Sequence, residues 1–313
     1  MSRAVGFGRR QRGVALIVAM LVLALASVIV VSLLDAGEIT HARTRNSLRA
    51  EQTWQLQRGL EVWAARALSE DERAEPGVDA RDDLWSQPLP PLDIPGGRIS
   101  GQLRELGGCF NVNSLVQGGQ PNERAQQRFE RLLRVLGLNP LIATQALDFI
   151  DADIESSPGG AEDAALLAQR PPRRAANQPL THLSELRLLP AVDGEAWKTL
   201  QPHVCALPED VGSNLNTATV AVWMSLDNAM TQRQAEILSR EGRAHYRDLE
   251  EINRELERLG LALLAPDAGV TVSSRYFVLD ADILFDDLPF TYSSLLQRDR
   301  QRVTTLARVR GRL

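Results

Sequence analysis

The chain has 313 residues, of which 44% are hydrophobic and 24% are charged, so it is long enough for two domains with a sizeable core. The formal net charge is -5, which excludes the strongly basic composition typical of nucleic-acid-binding proteins. No G-x-S-x-G elbow, Walker loop or C-x-x-C pair occurs, and the four histidines are most simply surface or core residues. We therefore predict that the protein is not an enzyme.

The N-terminus carries a basic cluster followed by an apolar segment. Twenty-one residues pass without a charge from Val14 to Leu34, and at about 1.5 Å per residue they span the roughly 30 Å hydrocarbon core of a bilayer. Basic flanking residues stay in the cytoplasm. We therefore expect a single-pass inner-membrane protein whose C-terminal bulk, beyond Asp35, lies in the periplasm.

Three kinds of N-terminal segment share this pattern. A cleaved secretory signal would end at the A-x-A site Ala24–Ala26, although the apolar run continues past it, and an uncleaved anchor is the second option. The third resembles the prepilin signal, in which a basic leader, here residues 1–13, ends in Gly13 and is removed by a prepilin peptidase in front of Val14. This cut would remove four arginines and leave a net charge of -9.

The fifth residue after this cut departs from the pilin pattern. Most pilins and pseudopilins have Glu there, whereas this chain has Val18. A carboxylate in lipid is costly unless it is paired, and in pilins the glutamate pairs with the N-terminus of a neighbouring subunit. The absence of this carboxylate fits a subunit that has no neighbour above it.

Helical periodicity continues beyond the membrane segment and predicts one long helix from Val14 to about Ser69. Its apolar face outside the membrane comprises Leu56, Leu60, Trp63, Ala64 and Ala67. Its predicted polar face comprises Glu51, Arg58, Glu61 and Arg66. Residues 75–97 are rich in proline and are predicted to form a loop, whereas the alternation from Arg98 to Leu106 predicts a strand.

The partners of this strand come only at the C-terminus. Runs of β-forming residues cover 270–279, 290–296 and 303–309, and turns are predicted at Asp286–Asp287 and Arg298–Asp299. Because the first strand has no partner nearby, we expect an antiparallel sheet that is completed across the chain.

Between these strands, residues 111–266 show helical patterns throughout. The predicted fold class is α+β: a pilin-like long N-terminal helix on an antiparallel sheet, formed by residues 35–110 and 267–313, with a large inserted all-helical domain. Cys109 and Cys205 fall in the part assigned to the oxidising periplasm, so a disulfide between them is predicted. Two free buried thiols are the alternative.

Two short segments of the helical region are similar to each other. In both Asn111–Leu115 and Asn214–Ala218, an Asn-x-Asn sequence with Ser or Thr leads into a helix. Helix capping by short polar side chains is one explanation. The other is that the region contains two related helical modules.

Six carboxylates lie within sixteen residues, here called the acidic loop: Asp148, Asp151, Asp153, Glu155, Glu162 and Asp163. With Asp151 as position 1, carboxylates occupy positions 3, 5 and 12 of an EF-hand loop, but Ser156 replaces the glycine of position 6. These groups repel one another unless a cation neutralises them, which predicts a calcium site. A solvated loop paired with Arg170, Arg173 and Arg174 is the alternative.

Taken together, the leader, Val18, the long helix and the inserted domain resemble the type II secretion minor pseudopilin K family. The most specific segments are Leu147–Asp153 and Gly160–Asp163, which are similar to the acidic D-W/F-I-D-x-D and G-A-E-D segments of that family. Further similar segments are Cys109–Asn113, Asn214–Ala218 and Ser274–Phe277. The resemblance implies a subunit that joins minor pseudopilins I and J at the tip of a periplasmic pseudopilus, and it also favours calcium.

A membrane-anchored periplasmic DNA-binding receptor is the alternative function, because Asn214–Ala218 also resembles the lead-in to helix-hairpin-helix modules. Residues 111–266 carry fifteen basic and twenty-one acidic side chains, a net charge of -6. Phosphate contacts need the opposite balance. No nucleic-acid partner is therefore expected.

Overall fold

The computed structural model describes residues 11–312, so residues 1–10 of the predicted leader lie outside the described part of the chain. Helix α1 (Gln11–Ala74) confirms the predicted long helix and extends beyond Ser69. Its first part is the only described segment that is long and apolar enough to cross a membrane.

The other helices and the strands all follow α1. The α-helices are α2 (Glu123–Val135), α3 (Leu141–Ile150), α4 (Asp163–Leu167), α5 (Gly194–Leu200), α6 (Val220–Met224), α7 (Gln232–Ser239) and α8 (Leu249–Arg258). The strands are β1 (Leu89–Ile94), β2 (Gly97–Glu105), β3 (Phe110–Asn111), β4 (Val116–Gln117), β5 (Gln120–Pro121), β6 (Val204–Cys205), β7 (Ser213–Asn214), β8 (Val270–Thr271), β9 (Tyr276–Phe285), β10 (Leu288–Asp299) and β11 (Arg302–Arg310). Short 3-10 helices cover Leu84–Ser86, Val112–Leu115, Leu183–Leu188, Gln201–His203 and Arg240–Gly242.

The main sheet has five antiparallel strands in the spatial order β1-β2-β9-β10-β11. Strand β2 pairs with β9 along its whole length, with Leu103 opposite Leu279. This pairing confirms that C-terminal strands complete the sheet. Both leucines are buried. Side chains directly opposite each other on paired strands lie on the same face of the sheet, and here that face is the buried one.

The end of α1 packs on this sheet. Leu60, Ala64 and Leu68 are at most 2% exposed. The prediction that Glu61 lies on the polar face was wrong, since Glu61 is 6% exposed. Its two carboxylate oxygens accept hydrogen bonds from Nε and Nη2 of Arg308 on β11, both at 2.7 Å. A charge can be buried when it is paired and hydrogen-bonded, which periodicity alone does not reveal.

The prediction of a loop over residues 75–97 was wrong for Leu89–Ile94, which forms the edge strand β1. Proline cannot donate a backbone hydrogen bond, but an edge strand leaves one side of its backbone unpaired. The ladder between β1 and β2 is irregular between Leu89 and Leu92, where Pro90 and Pro91 lie. The position of β1 at the edge of the sheet is therefore what makes Pro90 and Pro91 compatible with a strand.

Two details of the C-terminal strands also differ from the prediction. Val270 lies in β8, which pairs in parallel with β7 outside the main sheet. The turn at Asp286–Asp287 is confirmed, with φ values of 48° and 61°. The second turn lies at residues 300–301, and Arg298 remains in β10 as a side chain that is only 3% exposed.

Arg298 stays in the strand because carboxylates surround it, a group here called the Arg298 cluster. Arg298 pairs with Asp79 and lies 3.5 Å from Asp71 and 3.6 Å from Glu72, measured between nitrogen and oxygen. Its guanidinium also lies 5.0 Å from the centre of the Phe277 ring. Burial raises the pKa values of Asp71 and Asp79 to about 7, although the Arg298 charge acts in the opposite direction.

Glu105, at the end of β2, connects the sheet to the helical region. Its carboxylate accepts hydrogen bonds from the hydroxyls of Ser274 and Thr217 and from the backbone N–H groups of Gly107 and Gly108. Burial raises the pKa of Glu105, and these four donors oppose that shift. The chain is thus held at both places where it passes between the sheet and the helical region.

The helical region has one shared hydrophobic core, which extends from Phe110 to Val272. Its largest fully buried side chains include Phe129 on α2, Phe149 on α3 and Trp223 on α6. These helices confirm the predicted helical patterns.

The two similar Asn-x-Asn segments play equivalent parts. The first Asn of each pair accepts a hydrogen bond from the backbone of the second, at 3.3 Å in Asn111–Asn113 and 3.0 Å in Asn214–Asn216. The second Asn of each pair bonds the backbone of two distant segments: Asn113 to Leu180 and Leu207, and Asn216 to Tyr246 and Val272. Capping does not account for these long-range bonds. The segments begin two modules, each opened and closed by a parallel strand pair, β3 with β6 and β7 with β8.

Candidate metal centre

The acidic loop connects α3, which ends at Ile150, to α4, which begins at Asp163. Gly159 adopts a φ of 82°, a conformation that favours glycine. A Cβ atom at Gly160 would overlap the carboxylate of Asp148, so a glycine is also required there. These two glycines allow the loop to close over the last turn of α3.

Three of the predicted ligands converge. Asp151, Asp153 and Glu162 each place a carboxylate oxygen within 4.8 Å of the others. Asp151 is 7% exposed and Glu162 is 3% exposed, whereas Asp153 is exposed to solvent. Asp148 is fully buried, and its Oδ2 accepts a hydrogen bond from the backbone N–H of Ser157 at 3.0 Å.

Several oxygens of this group are buried without a hydrogen-bond partner among the described residues: Oδ1 of Asp148, Oδ1 of Asp151 and both carboxylate oxygens of Glu162. Burial raises the pKa of Asp151 to about 6, with further contributions from Asp153, Asp148 and Glu162. Burial also raises the pKa of Glu162. Unpaired buried oxygens that repel one another are costly for the folded protein, and a cation would satisfy them.

The other two predicted ligands lie elsewhere. Glu155 is exposed, and its backbone N–H donates to Oδ1 of Asp153 at 2.8 Å. Asp163 accepts a hydrogen bond from the backbone of Ala175 at 2.9 Å and lies 3.9 Å from Nε of Arg174. This is the one ion pair in the described chain that links the acidic loop to the arginines considered above, and it leaves the buried oxygens unpaired.

Asn177 is a neighbour of the loop that the sequence did not indicate. Its side-chain nitrogen donates to the backbone oxygen of Asp153 at 2.6 Å, and its own Oδ1 is buried without a partner in the described part of the chain. It lies outside the cluster in the sequence, and a single asparagine carries no spacing signal. Only the fold brings it to the loop.

Oxygen ligands of this kind fit calcium, which accepts carboxylates and carbonyl groups in a flexible geometry. Asp151, Asp153 and Glu162 supply the converging carboxylates, and the unpaired oxygens supply the need for positive charge. The described residues therefore fit a hard divalent cation at this loop.

The two cysteines form a disulfide away from the acidic loop. Cys109 and Cys205 are joined with their Cα atoms 5.8 Å apart. Cys205 belongs to β6, which pairs with β3 directly after Cys109. The bond therefore closes the first helical module at the point where its two ends meet.

Comparison with known proteins gives consistent results. A sequence profile of the family described as "Type II secretion system (T2SS), protein K" matches residues 108–209. Type II secretion system protein K of Pectobacterium carotovorum is 34% identical over 96% of this chain and 97% of its own length. The protein of the same name from Pseudomonas aeruginosa is 30% identical over 97% of this chain and 94% of its own length.

A solved structure is similar as well. A chain in the crystal structure of the GspK-GspI-GspJ complex from the type 2 secretion system of enterotoxigenic Escherichia coli superposes with a TM-score of 0.73 and 29% sequence identity. The match covers 87% of this chain and 100% of the solved chain.

Proposed function

The chain belongs to the type II secretion system protein K family, and we propose that it is a minor pseudopilin at the tip of the pseudopilus. There it would nucleate or cap the filament together with minor pseudopilins I and J, so that folded proteins are exported across the outer membrane. The similarity to a chain of the GspK-GspI-GspJ complex carries this proposal.

The arrangement of the chain supports a capping role. Helix α1 begins with the exposed apolar segment that a filament subunit needs, but Val18 provides no carboxylate for a neighbour above it. The helical region adds more residues than the sheet and the end of α1 contain. Such a bulk is compatible with the end of a filament, where no further subunit has to be stacked.

The N-terminal helix also supports a location in the inner membrane with the bulk of the protein in the periplasm. The proposed processing by a prepilin peptidase cuts between Gly13 and Val14. N-terminal sequencing of membrane-extracted protein tests it: Val14 is expected as the first residue, and Met1 or Ser27 would contradict it.

The tip hypothesis predicts a stable complex. We expect the tagged full chain, extracted in detergent, to co-purify with minor pseudopilins I and J of the same secretion system in equal amounts. An unrelated tagged single-pass protein, expressed with the same two partners, serves as the control. If the purified partners fail to associate at micromolar concentration, the capping role loses its basis.

We propose further that this role is not catalytic. Three histidines take part in hydrogen bonds that hold local structure: His182 with Ser184, His203 with Thr219, and His245 with Glu75 and Asp82. The alternative of a DNA-binding receptor rests on the sequence of Asn214–Ala218 alone. The relatives described above are secretion-system proteins, and the net charge of -6 over residues 111–266 opposes contact with phosphates.

For the acidic loop, we propose calcium held by Asp151, Asp153 and Glu162, with the buried side chain of Asp148 close by. When bound, the ion would supply positive charge that joins the end of α3 to the start of α4. The proposal rests on the unpaired buried oxygens of this group.

Calcium is therefore expected to stabilise the protein by linkage, because it binds the folded chain better than the unfolded chain. The melting temperature should rise by several degrees with added CaCl2 and fall with a chelator. A chain with both Asp151→Ala and Asp153→Ala should not respond to either.

Glu155→Gln is the matched control for this experiment. It removes one charge from the same loop, but Glu155 is exposed and outside the converging group, so the response to calcium should persist. An unchanged melting temperature in the parent protein would exclude the site. If Glu155→Gln lost the response to calcium while the double alanine variant kept it, the ligands would be assigned to the wrong residues.

A further inference from the structure

A second group of converging metal-ligand side chains, here called the His245 cluster, contains a histidine. His245, Asp82 and Asp83 each place one ligand atom within 4.8 Å of the other two. The two aspartates follow the end of α1, whereas His245 precedes α8 in the second helical module. His245 and Asp82 are 163 positions apart, so only the fold brings them together. The cluster shares no residue with the acidic loop.

The two ring nitrogens of His245 have different surroundings. Nδ1 lies 3.0 Å from Oδ1 of Asp82, and Asp82 lies close to Asp83. Nε2 lies 3.0 Å from Oε2 of Glu75. A histidine that binds a metal almost always donates its other N–H to a carboxylate or a carbonyl group, and this bond determines which nitrogen is free to bind the ion. Glu75 is such an acceptor, so Nδ1 is the nitrogen that can share an ion with the aspartates.

Asp83 is held in place in a similar way. Its Oδ2 accepts hydrogen bonds from the backbone N–H of Ala80 at 2.6 Å and from Nε1 of Trp85 at 3.1 Å. Within the described chain, no hydrogen bond uses its Oδ1. Carboxylates that bind metals are themselves hydrogen-bonded, which fixes their orientation before the ion arrives. Oδ1 of Asp83 is therefore the oxygen available to a ligand.

The negative charge of the cluster exceeds the positive charge that pairs with it. Among the described residues, Asp82 forms an ion pair with His245 alone, and Asp83 forms none. Arg247 lies 3.9 Å from Glu75, but its side chain is 82% exposed, so water screens this pair. Carboxylates that lie close together repel one another unless a cation is present. A divalent cation between Asp82 and Asp83 would remove this repulsion.

The types of ligand in the cluster favour zinc over calcium. Calcium takes six to eight oxygen ligands, whereas zinc binds imidazole nitrogen and carboxylate oxygen in a tetrahedral arrangement. With bonds of about 2.1 Å, neighbouring ligand atoms of a tetrahedron lie about 3.4 Å apart. The distance of 3.0 Å between Nδ1 of His245 and Oδ1 of Asp82 is close to this value. Only a small shift would accommodate the ion.

We propose that His245, Asp82 and Asp83 bind one zinc ion through Nδ1 of the imidazole and that Glu75 is a positioning residue for His245. Water takes the fourth position, and solvent reaches the site because Asp82 is 55% exposed. The ion joins the segment after α1 to the loop before α8, and so fixes the second helical module to the end of the long helix. This site is independent of the calcium proposed at the acidic loop and of the position of the chain in a filament.

Calorimetric titration of ZnCl2 into the full chain, extracted in detergent without a polyhistidine tag, tests the site. The chain carries Asp151→Ala and Asp153→Ala, so that zinc bound at the acidic loop is not counted. We expect one zinc ion per chain, bound with a micromolar or lower dissociation constant. An equal concentration of CaCl2 should not displace it. Because the acidic loop is altered in this chain, the result does not depend on whether the parent protein binds calcium there.

Four further substitutions in this chain identify the ligands. His245→Gln and Asp82→Asn should each weaken zinc binding by about tenfold or more, and Glu75→Gln by about tenfold, as is usual for a residue that orients a ligand. Asp82 is exposed, so its variant should fold as the parent does. His182→Gln is the matched control, because His182 is exposed and lies outside the cluster, and it should leave the affinity for zinc unchanged.

Two results would overturn the zinc site. One is the absence of saturable zinc binding, and the other is an affinity in Asp82→Asn and His245→Gln equal to that of the chain without these substitutions. Displacement of zinc by an equal concentration of CaCl2 would overturn the choice of metal. Weaker binding in His182→Gln than in His245→Gln would overturn the assignment of the histidine ligand.

Discussion

Replacing Arg298 by methionine is expected to lower the free energy of unfolding by about 3–5 kcal/mol, the usual cost of removing one partner from a buried ion pair. Arg298 and Asp79 are 3% and 0% exposed, and the same guanidinium lies 3.5 Å from Asp71 and 3.6 Å from Glu72. Without Arg298, these carboxylates remain buried with no cation to balance them. Urea unfolding of the detergent-extracted protein, followed by tryptophan fluorescence, measures the loss.

Trp85 is a suitable reporter for this experiment. Its ring lies 5.4 Å from that of Phe277, which in turn contacts the guanidinium of Arg298. Arg98→Met is the matched control. The side chains of Arg98 and Asp93 form an ion pair and are 57% and 79% exposed, so the expected loss is smaller. Equal losses for the two variants would contradict the importance given to the Arg298 cluster.

The effect of pH on the cluster has a definite sign. Asp71 and Asp79 have pKa values of about 7 in the folded protein, compared with about 3.9 in an unfolded chain. The folded state therefore binds more protons between these values, and the contribution of these groups to stability falls as the pH rises from about 4 to 7. Since protonation neutralises the carboxylates that Arg298→Met leaves unpaired, the loss should be smaller at about pH 5 than at about pH 8.

Replacing both Cys109 and Cys205 by serine is expected to lower the free energy of unfolding by about 3–5 kcal/mol, since a disulfide restricts the unfolded chain and the effect grows with the closed loop. The two cysteines are 96 positions apart. The bond also lies at the β3–β6 pair, so its loss frees the two ends of the first helical module together. Thermal unfolding in detergent without reductant measures the change.

A reductant provides the control for the disulfide. It should lower the melting temperature of the parent protein to that of the double serine variant and leave the variant unchanged. A variant as stable as the oxidised parent would contradict the prediction. A further decrease of the variant in reductant would show that the reagent acts elsewhere.

Much of the candidate metal centre could be predicted from the sequence because its carboxylates are close along the chain. Asp151, Asp153 and Glu162 fall in one loop, and any compact path of this loop brings some of them together. Which of the six carboxylates converge depends on the path of the loop. This path depends on Gly159, on Gly160 and on the buried side chain of Asp148. Glu155 and Asp163 have the same chemistry, but Glu155 is exposed outside the converging group and Asp163 accepts a hydrogen bond from the backbone of Ala175.

The sequence by itself determined the N-terminal helix, because an uncharged run of this length has a membrane-spanning helix as its natural structure. It also indicated that the strand predicted at Arg98–Leu106 pairs with strands from the C-terminus, and that the two cysteines form a disulfide. These predictions depend on local periodicity or on the small number of possible partners, here the C-terminal strands for the first strand and one other cysteine for each cysteine. Neither requires knowledge of distant contacts.

Only the tertiary structure decided where charges and prolines are tolerated. Glu61 was predicted on the polar face of the helix and Arg298 in a turn, yet each is buried and is neutralised by a residue more than two hundred positions away. The prolines of β1 are accepted because the sheet ends there. In each case the free energy of a residue depends on a partner that the chain brings near only after folding, so no local pattern could have specified it.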